Sequence, residues 1–294
     1  MQATAPVTTR IAIRNILFAT DFSEVSKAAL PYATDLARWY GSKIFVTHVV
    51  PYEPYLSVPL EPIPVDMDLF WNREKQWMEA FVNKASFGEV QHEEVLQRGE
   101  LWHAIAGVIE KKKIDLVVAG THGRKGLKKV MLGSAAEKIY RQATCPVLTV
   151  GPEAVECCQL GWELKQIIFA TDFSEKSLHA LPYALSLAEE NQANLIFLHI
   201  VSLVPHEYKD SIVEETRKRL RALMPDEPWC TPEFLVGFDF PASGILQVAC
   251  ERQADLIVMG VGKPAAATLT SHLPWSTAAD VVSAAPCPVL TVRE

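Results

Sequence analysis

The 294-residue chain lacks the features that would place it in a membrane or on nucleic acid. No apolar run approaches the roughly 20 residues of a membrane-spanning helix. Lysine and arginine number 28 against 35 aspartate and glutamate residues, and the net charge of −7 argues against non-specific binding to nucleic acid or anionic membranes. Hydrophobic residues make up 49% and charged residues 21%, a balance typical of globular proteins. We therefore expect a cytoplasmic protein with neither a membrane nor nucleic acid among its partners.

Motifs of common catalytic and metal sites are missing as well. The chain contains no G-x-S-x-G, no G-x4-G-K-[ST] and no H-E-x-x-H, and its six cysteines form no CxxC pair. His48 and His199 have no second ligand two or four residues away, which favours hydrogen-bonded structural histidines over metal ligands. The sequence thus predicts no catalytic constellation and no metal-binding residues.

The chain is built from two copies of one unit. The segment Ile16–Glu24 recurs as Ile167–Glu175 with one change, and Asp21 therefore matches Asp172, 151 residues later. Two further pairs of matching segments follow in the same order: Asp115–Gly120 with Asp255–Gly260, and Cys145–Val150 with Cys287–Val292. Duplication predicts two tandem domains, residues 11–151 and 165–294, joined by the linker 151–165. The vicinal pair Cys157-Cys158 lies in this linker. It could be redox-active, but an incidental linker feature is the favoured interpretation.

Apolar runs alternate with helical stretches in each copy. For the first copy the pattern predicts strands at 15–19, 43–49, 90–97, 116–119 and 147–150, and helices at 23–40, 67–86, 101–113 and 134–142. The expected fold is α/β: two tandem, doubly wound, five-stranded parallel sheets covered by helices. Pro31 and Pro182 fall inside the first helix of each copy and should kink it. The proline-rich stretch 51–64 should pack over the site or against a partner.

A glycine-containing loop follows the fourth predicted strand, at an edge where open α/β sheets bind ligands. Gly120, Gly123 and Gly133 give the spacing G-x2-G-x9-G-S, which closes on a helix at Ser134. Glycines allow close approach and positive φ, and a helix N-terminus offers N–H donors to an anion. Ser134 would cap the helix or donate its hydroxyl to a phosphate. Four basic residues flank the loop: Arg124, Lys125, Lys128 and Lys129. A plain surface loop with solvated charges is the alternative.

The glycine pattern, Ala-Thr-Asp-Phe-Ser after the first strand and the closing Cys-Pro-Val-Leu-Thr-Val resemble the universal stress protein family over nearly the whole chain. The resemblance implies an adenine-nucleotide alpha-hydrolase-like sheet that binds ATP or AMP, with or without Mg²⁺. Asp21 with Thr20 would contact adenine or ribose, Val49 would line the base pocket, and the loop would hold ribose and phosphates. The implied site residues are Ala19, Thr20, Asp21, Val49, Ala119, Gly120, Thr121, Gly123, Arg124, Gly133, Ser134 and Ala135. Asp21 also stands where an N-cap is expected.

The second copy departs from the glycine pattern. Aligned on its Cys-Pro segment, it has Trp275 where Gly133 stands, and Lys263 replaces Gly123. A tryptophan excludes the close backbone approach that glycine permits, so we expect weak or no ATP binding in this copy. Residues 260–265 also spell G-x-G-x-x-A, but the proline at 264 and the late position of the pattern in the unit disfavour a dinucleotide site.

Three functions remain open on the sequence alone. The leading one is a non-enzymatic nucleotide-binding stress protein whose nucleotide state controls conformation or an unidentified protein partner. The others are a slow ATPase or phosphoryl-transfer enzyme, and an interaction module without a ligand. By analogy with single-domain relatives, 146–150 and 288–292 should pair within the chain as a pseudo-two-fold dimer, and further dimerisation stays open.

Overall fold

The computed structural model describes residues 10–51, 67–121, 133–154, 161–202, 209–225, 229–262 and 275–293. Gly123, Arg124 and the Cys157-Cys158 pair fall outside these ranges, as does most of the proline-rich stretch. The chain divides into two compact units, Ile13–Val147 and Leu148–Glu294 with the described residues before Ile13. No helix in the described ranges is both long and apolar enough to cross a membrane.

The first copy forms the predicted parallel sheet. Its strands are β1 Asn15–Ala19, β2 Lys43–Val50, β3 His92–Arg98, β4 Leu116–Gly120 and β5 Val147–Val150, in the order β3-β2-β1-β4-β5. The central β1 pairs in parallel with both β2 and β4. Its helices are α1 Glu24–Ala28, α2 Leu30–Tyr40, α3 Met67–Lys84, α4 Leu101–Lys112 and α5 Ser134–Gln142.

The second copy repeats this architecture. Its strands are β6 Gln166–Ala170, β7 Asn194–Val201, β8 Glu233–Phe238, β9 Leu256–Val261 and β10 Val289–Arg293, in the order β10-β9-β6-β7-β8. Its helices are α6 Glu175–Leu178, α7 Leu181–Asn191, α8 Lys209–Arg221, α9 Pro241–Glu251 and α10 Trp275–Ala284. The α/β fold and the duplication are therefore confirmed.

Helices cover both faces of the first sheet, which explains why its strands read as continuous apolar runs. Leu17 on β1 is fully buried in a cluster with Ile105 of α4 and Ile139 of α5. Its neighbour Phe18 is fully buried too, with its ring 6.2 Å from that of Phe81 on α3. Successive side chains of β1 thus point to opposite faces of the sheet, and both faces are buried.

The predicted single helix after β1 is wrong in one respect. It is two helices that meet at Ala29, and Pro31 lies in the first turn of α2 rather than kinking a continuous helix. A first-turn residue needs no intrahelical N–H acceptor, so proline costs nothing there. Pro182 occupies the same position at the start of α7. The sequence pattern merged the two helices because both carry apolar residues at helical spacing.

A structural contact explains the aspartate that directly precedes the fourth strand of each copy. Asp115 Oδ2 accepts hydrogen bonds from the backbone N–H groups of Arg14 and Asn15, at 2.8 and 2.9 Å. Asp255 accepts the equivalent pair from Lys165 and Gln166, both at 2.8 Å. These carboxylates fix the start of β1 and β6, at the sheet edge opposite the predicted site.

Candidate functional site

The first-copy site lies where the carboxyl ends of three parallel strands adjoin. In register, Ala19 at the end of β1 stands between Thr47 on β2 and Ala119 on β4. Val49 lies two residues beyond Thr47 on β2, and Gly120 ends β4. The strands therefore bring the predicted residues of three separate segments to one edge of the sheet, the edge at which such sheets bind ligands.

Thr20 organises the turn that follows β1. Its backbone N–H donates to the Thr47 carbonyl at 3.0 Å and so extends the contact between β1 and β2. Its hydroxyl oxygen accepts the N–H of Phe22 at 3.0 Å and lies 3.0 Å from the hydroxyl of Ser26. Thr20 is only 7% exposed. Its side chain therefore holds the turn from within, while its backbone lines the strand end.

Asp21 is not the N-cap of the following helix, contrary to the alternative considered from the sequence. Ser23 caps α1, and its hydroxyl accepts the N–H of Ser26 at 3.2 Å. Asp21 Oδ1 instead accepts the N–H of Ser23 at 3.0 Å, which sets the chain direction two residues before the helix. The capping serine, not the aspartate, satisfies the helix terminus, and the carboxylate stands at the strand end.

The residue after this aspartate has a left-handed backbone in both copies. Phe22 and Phe173 each have φ of 63°, a conformation that costs a bulky residue about 1–3 kcal/mol. The Phe22 ring packs on His48, with centroids 4.4 Å apart, and Phe173 packs on His199 at 4.8 Å. Strain of this kind persists only where surrounding contacts impose it, and it clusters at functional sites.

His48 links the β1 turn to α3. Its Nδ1 lies 2.7 Å from the Thr20 carbonyl oxygen, and because a carbonyl only accepts, Nδ1 carries a proton. Its Nε2 faces Oε2 of Glu74 at 3.4 Å. Glu74 is 2% exposed, and this same oxygen accepts no hydrogen bond. The predicted hydrogen bond of His48 is confirmed, but its carboxylate partner was not foreseen.

The other side of the site is formed by β4 and α5. Thr121 is fully buried, and its carbonyl accepts the N–H of Gly133 at 2.7 Å, which ties together the two ends of the predicted phosphate loop. Gly133 is the N-cap of α5, with φ of −63° and ψ of 144°. Ser134 and Ala135 are exposed in the first helical turn, whose N–H groups have no intrahelical acceptor.

Two expectations about this loop need correction. Ser134 does not cap α5, because Gly133 occupies the N-cap position and Ser134 is the first helical residue. Gly133 also does not use a positive φ, so any residue fits its backbone. The close backbone approach that a glycine allows here stays a prediction. The other role considered for Ser134, donation of its hydroxyl to a phosphate, stays a prediction.

A charged contact fixes α5 against the start of α4. Lys138 Nζ lies 2.9 Å from Oε1 of Glu100, the N-cap of α4, whose Oε2 accepts the N–H of His103 at 3.0 Å. These hydrogen bonds, that of the His103 backbone first and then that of Lys138, lower the pKa of Glu100 to about 2. The helix that carries Ser134 thus contacts the start of α4 through an ion pair one turn after Ser134.

The second copy keeps the turn but changes its surroundings. Desolvation opposes the ionisation of Asp172, but hydrogen bonds from the hydroxyl and N–H of Ser174 outweigh it and lower the pKa of the carboxyl. His199 Nδ1 contacts the Thr171 carbonyl at 2.7 Å, as His48 does Thr20. In the first copy the ring of Phe81 lies 5.7 Å from that of Phe22. In the second copy the guanidinium of Arg219 lies 3.9 Å from the centre of the Phe173 ring.

Close backbone packing explains the glycine at position 260 without a dinucleotide site. A Cβ at this position would lie 2.0 Å from the carbonyl oxygen of Lys176, so only glycine lets the turn around α6 pack against the end of β9. Of the described residues, no group of three histidine, cysteine, aspartate or glutamate side chains is arranged to hold a metal ion.

Comparison with known proteins gives the family. The model of the universal stress protein family matches residues 12–151 and again residues 163–293. The chain belongs to the universal stress protein family. The two matches contain the two copies of the repeat in turn, so this is a tandem member of the family.

Individual relatives agree with this assignment. The chain is 34% identical over 139 residues to universal stress protein MJ0531 of Methanocaldococcus jannaschii, a match that covers 47% of this chain and 81% of the relative. It is 33% identical over 138 residues to universal stress protein A homolog 1 of Coxiella burnetii, covering 47% and 95%. A solved universal stress protein from Archaeoglobus fulgidus superimposes with a TM-score of 0.70 at 20% identity, over 95% of this chain and 98% of that one. That likeness shows a shared fold.

Proposed function

We propose that this universal stress protein binds one adenine nucleotide in its first domain and acts by regulation rather than catalysis. The observation that carries the proposal is the junction of β1, β2 and β4. There a carboxylate turn, an apolar strand end and a helix N-terminus behind a glycine-closed loop meet at one sheet edge. A nucleoside needs the first two features, and a phosphate needs the third.

Each predicted residue has a role that its position supports. Asp21 stands at the β1 end and would accept hydrogen bonds from adenine or ribose. Val49, partly exposed on β2, would contact the base. Ala19 and Ala119 are small residues that leave room at the strand ends. Gly120, Thr121, Gly133, Ser134 and Ala135 would surround ribose and phosphates, with Gly123 and Arg124 in the intervening loop.

ATP and AMP place different demands on this site. Asp21 is the one carboxylate among the predicted site residues, and it stands on the nucleoside side rather than beside the loop. A Mg²⁺ ion entering with ATP would therefore rely on phosphate oxygens and water, an arrangement that Mg²⁺ accepts. The same observation supports a regulatory role, because phosphoryl transfer needs a metal-holding acid and a group that positions water.

Mass spectrometry of the purified protein and calorimetric titration with ATP and AMP test this proposal. We expect bound nucleotide in the extract, or a heat of binding for one of the two. The Gly133→Trp variant, which copies the second domain, should lose binding. Gly133→Ala is its matched control, because the backbone at 133 accepts any residue. Absence of nucleotide together with no heat of binding would refute the proposal, and turnover abolished by Gly133→Trp would favour the ATPase alternative.

Three wider statements stay predictions. We propose that the domains span 11–151 and 165–294, that the protein works in the cytoplasm, and that nucleotide controls an unidentified protein partner. Pairing of the last strands of the two copies within one chain also stays a prediction. A cross-link between cysteines introduced on 146–150 and 288–292 in the monomeric chain tests it.

A further inference from the structure

The second domain contains a cleft that the proposed nucleotide site does not use. It encloses about 690 Å³ at the carboxyl ends of β6, β7 and β9, a size typical of small-molecule sites. Its walls are largely aliphatic, and they are contributed by three strands and three helices. The apolar lining includes Leu198, Ile200, Ile245, Met259 and Val261.

Lys176 gives this cleft a cation that the first copy lacks. At the repeat offset the first copy has Val25, so the charge is particular to the second domain. Lys176 lines the cleft, and its side chain lies over the end of β9. A Cβ added to Gly262 would be 2.8 Å from Lys176 Cδ and 3.0 Å from Nζ. In the described ranges Lys176 is exposed, and neither a hydrogen bond nor an ion pair satisfies its ammonium group.

Two carboxylates also line the cleft, and neighbouring hydrogen-bond donors stabilise the negative charge of each. Asp172 accepts hydrogen bonds from the N–H and hydroxyl of Ser174, at 2.9 and 2.5 Å. Glu175 lies in the first turn of α6, where the backbone N–H groups of a helix stabilise a negative charge. Both would still repel a multiply charged anion. The charges therefore favour a single negative group placed at Lys176.

We propose that the cleft of the second domain binds a small organic anion with an apolar body and one negative charge. Its anionic group pairs with Lys176, and its body contacts the aliphatic wall around Ile245 and Met259. A nucleoside triphosphate does not fit this charge pattern, because one lysine shares the cleft with two carboxylates. This site is independent of nucleotide binding in the first domain.

Two fluorescent probes of the same shape isolate the charge. Anilinonaphthalene sulfonate carries one permanent negative charge, and phenylnaphthylamine is its uncharged parent. The full-length protein is titrated with each while the methyl resonance of isotope-labelled Met259 reports occupation of the cleft. We expect both probes to shift this resonance. Lys176→Met should weaken the sulfonate about tenfold, the size of one charge-assisted contact, and leave the neutral probe unchanged.

Lys165→Met is the matched control, because it removes a lysine of the second domain that does not line the cleft. It should leave both affinities unchanged. The proposal is overturned if Met259 does not respond to the sulfonate, or if Lys176→Met weakens both probes equally or neither. Displacement of the sulfonate from the Met259 site by ATP would overturn the exclusion of triphosphates. Lys176 is exposed, so its substitution does not endanger the fold.

Discussion

At the scale of single residues, the turn after the first strand has the same hydrogen bonds in both copies. The two copies differ more in the residues that pack against this turn. Thr20 and Thr171 each accept the N–H two residues ahead, and each lies within 3.0 Å of a serine hydroxyl. Asp21 and Asp172 make the same contact with the serine that caps the next helix. Loss of the glycine pattern in one copy therefore left the turn after its first strand intact.

The charge of Asp21 separates a ligand role from a turn role. Asp21→Asn keeps an oxygen for the N–H of Ser23 but removes the negative charge. We expect adenine-nucleotide affinity to fall about tenfold or more, as for loss of a charge-assisted hydrogen bond, with little change in melting temperature. Calorimetric titration measures the affinity. Asp172→Asn is the control in the second copy, and an equal loss of affinity in this variant would contradict the assignment to the first domain.

His48 and Glu74 form a buried contact whose strength is measurable. We expect a double-mutant cycle with His48→Gln and Glu74→Gln to give a coupling of about 1–3 kcal/mol in the free energy of unfolding, because each group is left buried without its partner. The pair of half-exposed Arg73 with Glu74, 3.6 Å apart, is the control and should give less than about 1 kcal/mol, because solvent screens the Arg73 charge. A coupling near zero for His48 and Glu74 would show that α3 is not held to β2 through this contact.

At the scale of elements, local pattern predicted most of the first domain. β1, α5 and β5 begin and end where the apolar periodicity places them, and each begins directly after a charged residue, a glycine or a proline. β3 begins at His92 rather than Val90, because Val90 donates its N–H to Phe87 in a turn. The contact of Glu74 with His48 joins α3 to β2, and periodicity gives no register between separate elements. The contact of Arg219 with the Phe173 ring was not predicted for the same reason.

The N-cap of α4 predicts a pH dependence. The pKa of Glu100 is lowered from 4.5 to about 2, so its charge stabilises the fold above pH 4.5, and this contribution disappears as pH falls toward 2. Glu100→Gln should therefore lower the melting temperature near neutral pH, with the difference from the parent protein vanishing near pH 2. Melting curves across this range measure it.

Glu110→Gln provides the control for this prediction. It removes a carboxylate from the same helix that makes no side-chain hydrogen bond or ion pair within the described ranges. The melting temperature of this variant should stay close to that of the parent protein at every pH. A difference for Glu100→Gln that persists at pH 2 would mean that the loss comes from packing rather than charge.

At the scale of the whole molecule, duplication gave two scaffolds whose strand ends have different surroundings. The first combines a carboxylate turn with a glycine-closed helix N-terminus, which suits a nucleotide. The second keeps the turn, places Lys176 in its cleft and begins α10 at Trp275, which stands at the aligned position of the N-cap Gly133. A nucleotide site and a separate organic-anion site in one chain would let two signals act on one protein.

Nucleotide stoichiometry tests the central claim most directly. Native mass spectrometry of the full-length chain with saturating ATP or AMP counts bound nucleotides per chain. We predict one, retained in Gly133→Ala and lost in Gly133→Trp. Two nucleotides per chain, or one that survives Gly133→Trp, would contradict the assignment of the site to the first domain.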